Sequence, residues 1–212
     1  VQNSVDRNRA NGMLKRLTDF VLAAAALVFL LPVLLPLAIA IRLSDGGPAL
    51  YKQRRIGRDG KEFKCFKFRS MVVDSDVRLQ QLLETDPMAR KEWQATQKLE
   101  NDPRITPFGQ FLRKSSLDEL PQLINILKGE MSIVGPRPIV QNEVEKYGDY
   151  FAHYCQVRPG LTGLWQVSGR SDTSYGERVL LDVQYVSDWS YMGDIKIIAM
   201  TVPAVLMSDG AR

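Results

Sequence analysis

The most regular hydrophobic pattern in the chain is an apolar segment near its start. Residues 20–41 carry no charged and no strongly polar side chain, and 22 such residues in a helix can span a bilayer. Pro32 and Pro36 lie near the middle, where proline removes a hydrogen bond and bends or breaks a helix. The pattern therefore predicts a helix–break–helix over residues 14–43, after a polar extension over residues 1–13.

Basic residues flank the apolar segment on both sides. Lys15 and Arg16 precede it, and Arg42, Lys52 and Arg54 follow it. Because basic flanks stay on the cytoplasmic side of a membrane, both ends are expected on one side. A re-entrant segment that dips into one leaflet satisfies both flanks, whereas a straight span carries one of them across. A single transmembrane anchor, a secretory signal and a buried soluble helix are the alternatives that the pattern leaves open.

Beyond the apolar segment, the pattern predicts short strands and amphipathic helices. Residues 49–57 and 62–71 read as two strands of a β-hairpin, joined across residues 58–60, and residues 131–134 form a further β-like run. Helical periodicity covers residues 76–84, 87–99, 139–156, 175–189 and 193–207. The sequence therefore predicts an α+β fold, with a mostly helical cytoplasmic domain over residues 44–212 that contains a small sheet.

Charge is distributed unevenly along the chain. The net charge is +4, but Lys and Arg outnumber Asp and Glu by 13 to 5 in residues 1–71, whereas the remainder has 15 against 19. The first third should therefore attract an anionic partner, such as lipid headgroups, nucleic acid or a phosphorylated substrate. Two cysteines and one histidine, His153, are too few for a disulfide framework or a His-rich zinc site.

Two adjacent carboxylates, Asp118 and Glu119, lie between a basic pair and an apolar run. One interpretation is structural, because Ser116 and Glu119 have the spacing of a capping box at a helix start. Pro121 complicates this interpretation, because proline fits the first position of a helix but removes a hydrogen bond deeper in it. The helix therefore either begins later, near Leu120, or is bent at its entry. The other interpretation is chemical: one carboxylate attacks a phosphoryl group while its neighbour holds a divalent cation.

A proline-flanked arginine offers a second candidate anion site. Pro136 and Pro138 stiffen the backbone around Arg137, which lowers the entropy lost when the guanidinium clamps an anion. An ordinary surface turn is the alternative. A glycine-rich loop and strand follows, bracketed by Arg158 and Arg170.

A series of short motifs runs through nearly the whole chain in a fixed order. They are Lys15-Arg16 with Asp19, the apolar segment with Pro32, Phe66-Lys67-Phe68-Arg69-Ser70-Met71, Asp102-Pro103-Arg104-Ile105-Thr106, Arg113 with Ser116-Leu117-Asp118-Glu119-Leu120-Pro121-Gln122, Gly135-Pro136-Arg137-Pro138, Arg158-Pro159-Gly160-Leu161-Thr162-Gly163 and Ser168-Gly169-Arg170. In this order they resemble the bacterial sugar transferase family, the monotopic polyprenyl-phosphate phosphoglycosyl transferases. The resemblance is strongest to initiating hexose-1-phosphate transferases of exopolysaccharide or O-antigen synthesis.

The resemblance implies a reaction that the spacing alone does not. A UDP-hexose, with galactose or glucose as the sugar, gives its sugar-1-phosphate to undecaprenyl phosphate through an aspartyl-phosphosugar, and UMP is released. Membrane lipids would be further partners, nucleic acid would not, and a homodimer is allowed. The enzyme would sit at the bacterial inner membrane with its catalytic domain on the cytoplasmic face.

The resemblance also assigns roles by position. Asp118 would be the nucleophile, Glu119 with Asp118 would hold Mg²⁺, and Arg113 would bind phosphate. Arg137 would contact the nucleotide, and Pro32 would be the membrane break. The remaining predicted substrate-binding residues are Pro136, Pro138, Lys67, Arg69, Arg158 and Arg170.

A hypothesis from a different functional class is also compatible with the sequence. The chain could be a non-catalytic, membrane-anchored module that binds anions or nucleic acid through its basic first third. Steeply salt-dependent nucleic-acid binding without UMP production would favour that function.

Overall fold

The computed structural model describes residues 12–96, 99–168 and 174–206. Helices predominate, and the strands of the described residues form two separate two-stranded sheets, which confirms the predicted α+β fold. In chain order the elements are α1 (Met13–Asp45), β1 (Leu50–Ile56), β2 (Glu62–Phe68), α2 (Ser75–Thr85), α3 (Pro87–Thr96), α4 (Pro107–Lys114), α5 (Gln122–Lys128), β3 (Ser132–Val134), α6 (Val144–Tyr147), α7 (Phe151–Tyr154), β4 (Gly160–Thr162), α8 (Leu164–Val167), α9 (Tyr175–Ser187) and α10 (Tyr191–Leu206).

Helix α1 is a single α-helix of 33 residues that continues through Pro32 and Pro36. The predicted break in the helix at Pro32 is therefore wrong. Each proline withdraws one backbone donor, and the hydrogen bonds of neighbouring residues keep the helix continuous. Among the described residues, α1 is the one helix long and apolar enough to cross a membrane. The re-entrant topology stays a prediction.

One stripe of α1 lies against the rest of the protein along the whole helix. Its buried members are Lys15, Asp19, Ala23, Leu34 and Ile41, which recur at helical spacing on one face. The apolar members pack into clusters with side chains of β2, α4 and α5. Large apolar side chains are exposed on the remaining faces, among them Leu17, Phe20, Val21, Val28, Phe29, Leu35, Ile39 and Leu43.

Polar contacts hold α1 at both of its ends. Near its start, Nζ of Lys15 lies 2.5 Å from the Asp194 carboxylate in α10. One turn later, Asp19 accepts a hydrogen bond of 3.0 Å from a backbone N–H of β3. At the other end, Arg69 pairs with Asp45. Both ends of the helix are therefore attached to the same folded domain.

Strands β1 and β2 form the predicted antiparallel hairpin, with Arg55 opposite Phe63 and Gln53 opposite Cys65. Because side chains alternate along a strand, Arg55, Cys65 and Lys67 share one face of the hairpin, and Lys64 lies on the other. The hairpin therefore directs two of its cations to the same side.

Asn125 of α5 covers the free edge of β2. Its side-chain oxygen accepts from the backbone N–H of Phe66 at 2.9 Å, and its side-chain amide donates to the carbonyl of Lys64 at 2.7 Å. A second donation of 2.7 Å reaches Glu130, so the fully buried carboxamide has both of its amide hydrogens and its oxygen paired. These bonds fix the distance between β2 and the segment that precedes α5.

The segment between α4 and α5 is a 3₁₀ turn over Leu117–Glu119 rather than the first turn of a helix. The predicted capping box is wrong, because Ser116 adopts a left-handed conformation with φ 56 and its side chain makes no capping bond. Pro121 becomes the N-cap and α5 begins at Gln122, which confirms the later helix start. The two carboxylates thus lie in a tight turn that is held by helices on both sides.

Strands β3 and β4 pair in parallel behind the proline-flanked arginine. A Cβ atom on Gly160 would lie 2.1 Å from the backbone nitrogen of Gly135, so the two backbones approach as closely as only glycine permits. The helix predicted over residues 139–156 is wrong as one element. Gly148 has φ 49, and it separates α6 from a 3₁₀ turn and α7.

Helices α9 and α10 close the fold as predicted. Ser174 and Glu177 form a capping box at the start of α9. Arg178 and Asp182, one turn apart on α9, are both buried polar residues. Their burial on the inner face of an otherwise ordinary amphipathic helix brings charge into the interior.

Candidate active site

Asp118 and Glu119 share one 3₁₀ turn, but their environments differ. Asp118 is 9% exposed, and this burial raises the pKa of its carboxyl to about 6 against the opposing charges of Lys67 and Arg113. Burial also acts to raise the pKa of Glu119, but the charges of Lys67 and Arg137 outweigh it and hold that pKa below its ordinary value. Adjacent carboxyls whose pKa values are pushed apart are typical of sites that give them different roles.

Two predicted cations lie next to this carboxylate pair. Nζ of Lys67, at the end of β2, lies 2.7 Å from Oε1 of Glu119. Arg113, in the last turn of α4, donates from Nε to Oγ of Ser70 at 2.8 Å, and its charge acts on Asp118. The structure therefore brings together the predicted residues Asp118, Glu119, Lys67 and Arg113.

The turn that carries Arg137 is fixed from two sides. The carbonyl of Pro136 accepts from the backbone N–H of Gly160 at 2.8 Å, and the carbonyl of Pro138 accepts from Nη1 of Arg55 at 2.8 Å. Both prolines are buried, and Arg137 between them is only partly buried. Its charge lowers the pKa of Glu119, so the predicted anion clamp belongs to the same site as the carboxylate pair.

Four residues in this region are functional candidates that were not predicted as site residues from the sequence: Arg55, Glu143, Trp165 and Arg178. Glu143 lies 3.7 Å from Arg55 and 3.2 Å from Arg178, and it joins the two guanidiniums. Cζ of Arg137 and Cζ of Arg178 lie 5.4 Å and 5.0 Å from the centroid of the Trp165 indole. Arg55 could have been found from strand alternation, since it shares a face with Lys67. The inward position of Arg178 on α9 has no comparable signal.

Other predicted residues do not join the carboxylate pair. Arg69 donates to the carbonyl of Ile41 at 3.2 Å and pairs with Asp45 at the end of α1. Arg158 donates to the carbonyl of Gly129 at 2.8 Å, at the far end of α5. Pro32 is exposed on α1, and Arg170 lies outside the described residues.

The donor set of the turn fits a magnesium ion that also uses substrate oxygens. Among the residues that the structure describes, no group of three or more His, Cys, Asp or Glu side chains is arranged to hold a metal. Mg²⁺ is commonly held by one or two carboxylates together with phosphate oxygens and water. Asp118 and Glu119 can supply those carboxylates, although Lys67 occupies one oxygen of Glu119.

Comparison with known proteins gives one consistent family. The sequence model of the bacterial sugar transferase family matches residues 10–208. The chain is 50% identical over 200 residues to the exopolysaccharide production protein ExoY of Rhizobium meliloti (strain 1021), covering 94% of this chain and 88% of ExoY.

Two further relatives are longer proteins. The undecaprenyl-phosphate galactose phosphotransferase of Salmonella typhimurium is 50% identical over 211 residues, covering all of this chain and 44% of the relative. The UDP-glucose:undecaprenyl-phosphate glucose-1-phosphate transferase of Escherichia coli (strain K12) is 44% identical over 200 residues, covering 91% of this chain and 40% of the relative. The chain thus spans less than half of these two proteins. On these matches, it belongs to the bacterial sugar transferase family.

Proposed function

We propose that this protein is a membrane phosphoglycosyl transferase that moves hexose-1-phosphate from a UDP-sugar to undecaprenyl phosphate and releases UMP. The observation that carries the proposal is Asp118, a buried carboxyl whose pKa is raised to about 6 beside an ionised Glu119 and the cations Lys67 and Arg113. A carboxylate can act as a nucleophile toward phosphorus, and neighbouring cations offset the charge that builds on the leaving phosphate.

The reaction proceeds in two displacements. An oxygen of Asp118 attacks the sugar-linked phosphorus, the bond between the two phosphoryl groups breaks, and UMP leaves with the bridging oxygen. A phosphate oxygen of the lipid then attacks the aspartyl phosphorus, which frees Asp118 and forms the diphosphate-linked lipid sugar. Because UMP leaves first, the two bulky anionic substrates need not occupy the site together.

The residues around Asp118 divide the remaining tasks. Lys67 keeps Glu119 ionised and limits the rise in the pKa of Asp118, so that the nucleophile is a carboxylate at neutral pH. Arg113 and Arg137 bind phosphoryl oxygens of the donor. Glu119 and Asp118 would hold Mg²⁺, which when bound would neutralise phosphate charge.

The membrane placement follows from α1. A 33-residue helix is about 50 Å long, well beyond the ~30 Å hydrocarbon core of a bilayer. Both ends of α1 contact the same domain, through Lys15 with Asp194 and through Arg69 with Asp45. A straight span would pull one of these ends away, which supports a monotopic arrangement. The basic residues on both flanks favour the cytoplasmic face of the inner membrane.

The donor is UDP-galactose or UDP-glucose, by analogy with the relatives whose names specify galactose or glucose transfer. The product would be the lipid-linked sugar that begins an exopolysaccharide or O-antigen repeat. The experiment is a panel of nucleotide sugars incubated with undecaprenyl phosphate and the purified protein, with UMP release as the readout. Repeated UMP release is expected to require one of the UDP-hexoses and the lipid, with no more than one UMP per protein when the lipid is left out; no release with any nucleotide sugar would contradict the proposal.

A further inference from the structure

Arg178 is a buried arginine whose hydrogen bonding is incomplete. The residue is 7% exposed, and its side chain is 9% exposed. Nη1 donates to Oε1 of Glu143 at 3.2 Å, whereas the buried Nε and Nη2 have no hydrogen-bond partner among the residues that the structure describes. Because a buried donor without a partner costs free energy, and a charged one more, native structures rarely retain one without a reason.

The two unpartnered atoms have the arrangement of a binding fork. Nε and Nη2 lie on one edge of the guanidinium, so their N–H bonds run parallel and match two oxygens of a phosphoryl group. Cζ of Arg178 lies 5.0 Å from the ring centroids of both Trp165 and Tyr175. These aromatic contacts hold the guanidinium in place, so little side-chain freedom is lost when it binds a ligand.

The charges around Arg178 favour an additional anion. Glu143 is shared between Arg178 and Arg55, at 3.2 Å and 3.7 Å. Cζ of Arg137 lies 5.4 Å from the centroid of the Trp165 indole, which Arg178 also contacts. The nearby Asp182 is buried and accepts a hydrogen bond of 2.6 Å from a tyrosine hydroxyl. Glu119 also interacts with Arg55 and Arg137, but it is paired with Lys67. In this part of the described structure, four cations (Arg55, Lys67, Arg137 and Arg178) are therefore matched by three carboxylates (Glu119, Glu143 and Asp182).

We propose that Arg178 is a further anion-binding residue of this site, and that its Nε and Nη2 bind two oxygens of a substrate phosphoryl group. The inference rests on the proposed function and extends its binding site beyond the predicted residues. The phosphoryl group belongs to the sugar nucleotide or to the lipid acceptor, which share this chemistry. Because both nitrogen atoms are covered in this structure, a neighbouring side chain must move as the ligand enters.

The first test is calorimetric binding of UDP to the full chain, which needs no turnover. Arg178→Lys keeps the charge and removes the fork, so UDP is expected to bind about 10- to 100-fold more weakly at an unchanged melting temperature. Arg54→Lys is the matched control, because the Arg54 side chain is 81% exposed on the outer face of β1, and it should bind like the wild type.

A second arm distinguishes the two sources of the phosphoryl group. If Arg178→Lys binds UDP normally but transfers its bound sugar phosphate to undecaprenyl phosphate at least 10-fold more slowly, the fork serves the lipid acceptor. If neither UDP binding nor transfer to the lipid changes, the inference is overturned. A wild-type protein that does not bind UDP would instead overturn the proposed function, and this inference with it.

Glu143→Gln separates a binding role from a structural one, and it also covers the case in which Arg178→Lys does not fold. Glutamine can still accept from the backbone N–H of Val140, as Glu143 does at 2.9 Å. Removing the competing negative charge is expected to tighten UDP binding several-fold. Weaker UDP binding would mean that Glu143 and Arg178 act as one structural unit, and would overturn the inference.

Discussion

At the scale of single residues, burial gives two adjacent carboxyls different chemistry. Asp118 is the more basic, because burial raises its pKa to about 6, while Lys67 and Arg137 keep Glu119 ionised. The more basic carboxylate is the better electron-pair donor, and the more acidic one is a stable negative charge for a cation. This difference in pKa is the physical basis for assigning attack to Asp118 and metal binding to Glu119.

Replacing Asp118 by Asn is expected to stabilise the fold at alkaline pH. A buried carboxyl with a raised pKa destabilises the folded state when ionised, so Asp118→Asn should gain about 2 to 3 kcal/mol at pH 8. At about pH 4 the folded carboxyl is protonated and the unfolded one is about half protonated, so most of the gain should be lost. Denaturant unfolding of the wild type and of Asp118→Asn at pH 8 and at pH 4 measures the stability gain at each pH. Equal stability of the two proteins at pH 8 would contradict the burial argument.

Replacing Lys67 by Gln is expected to shift the pH dependence of the first transfer step. The charge of Lys67 lowers the pKa of Asp118, so its loss should raise that pKa further and move the acid limb of UMP release to higher pH. The rate at pH 7 should fall by about 10- to 100-fold. Lys64→Gln, on the outer face of the same strand, is the control and should leave the profile in place. Identical acid limbs for wild type and Lys67→Gln would remove Lys67 from this role.

Residues of one motif were predicted together but lie apart. Lys67 and Arg69 are two positions apart in the sequence, and alternation along a strand would put them on one face. Strand β2 ends at Phe68, so Arg69 leaves the strand and turns to the end of α1. The sequence identifies both residues as basic, but it does not show where the strand ends. Arg178 was missed because a buried arginine on an amphipathic helix resembles an exposed one in the sequence.

At the scale of elements, the site depends on how α5 is attached to β2. The capping-box start at Ser116 failed because Ser116 adopts a left-handed conformation, and the alternative, a later start caused by Pro121, is the one observed. The hairpin and the strand β3 were predictable, because turn residues and alternation are local signals. The contact between Asn125 and the edge of β2 joins residues about 60 positions apart, and no local pattern reports it.

Arg69 is expected to stabilise the end of α1 rather than to bind substrate. Arg69→Gln removes the donor to the carbonyl of Ile41 and the partner of Asp45, and should lower stability by about 1 to 3 kcal/mol. The rate of UMP release per folded molecule should stay within about twofold of the wild type, a difference of only ~0.4 kcal/mol. Thermal unfolding and UMP release, with the exposed Arg54→Gln as control, test this. A large loss in the rate of UMP release at unchanged stability would instead mean that Arg69 binds substrate.

At the scale of the whole molecule, α1 lies along the domain and exposes its apolar faces. Both ends are tied to the same body, so both should face the cytoplasm. Cysteines at Met13 and Leu43, which are 87% and 79% exposed, should be closed to a membrane-impermeant thiol reagent added outside intact cells. Both should react once the cells are opened. Labelling of one position from outside would show a true span.

In the proposed reaction, the Asp118 carboxyl carries the sugar phosphate between donor and lipid. The most direct measurement is acid quenching of the protein with UDP-galactose or UDP-glucose labelled in the sugar, followed by peptide mass spectrometry. We expect label on the peptide that contains Asp118, its release on addition of undecaprenyl phosphate, and no label in Asp118→Asn. Lipid product that forms at full rate while the protein is never labelled, or an active Asp118→Asn, would contradict it.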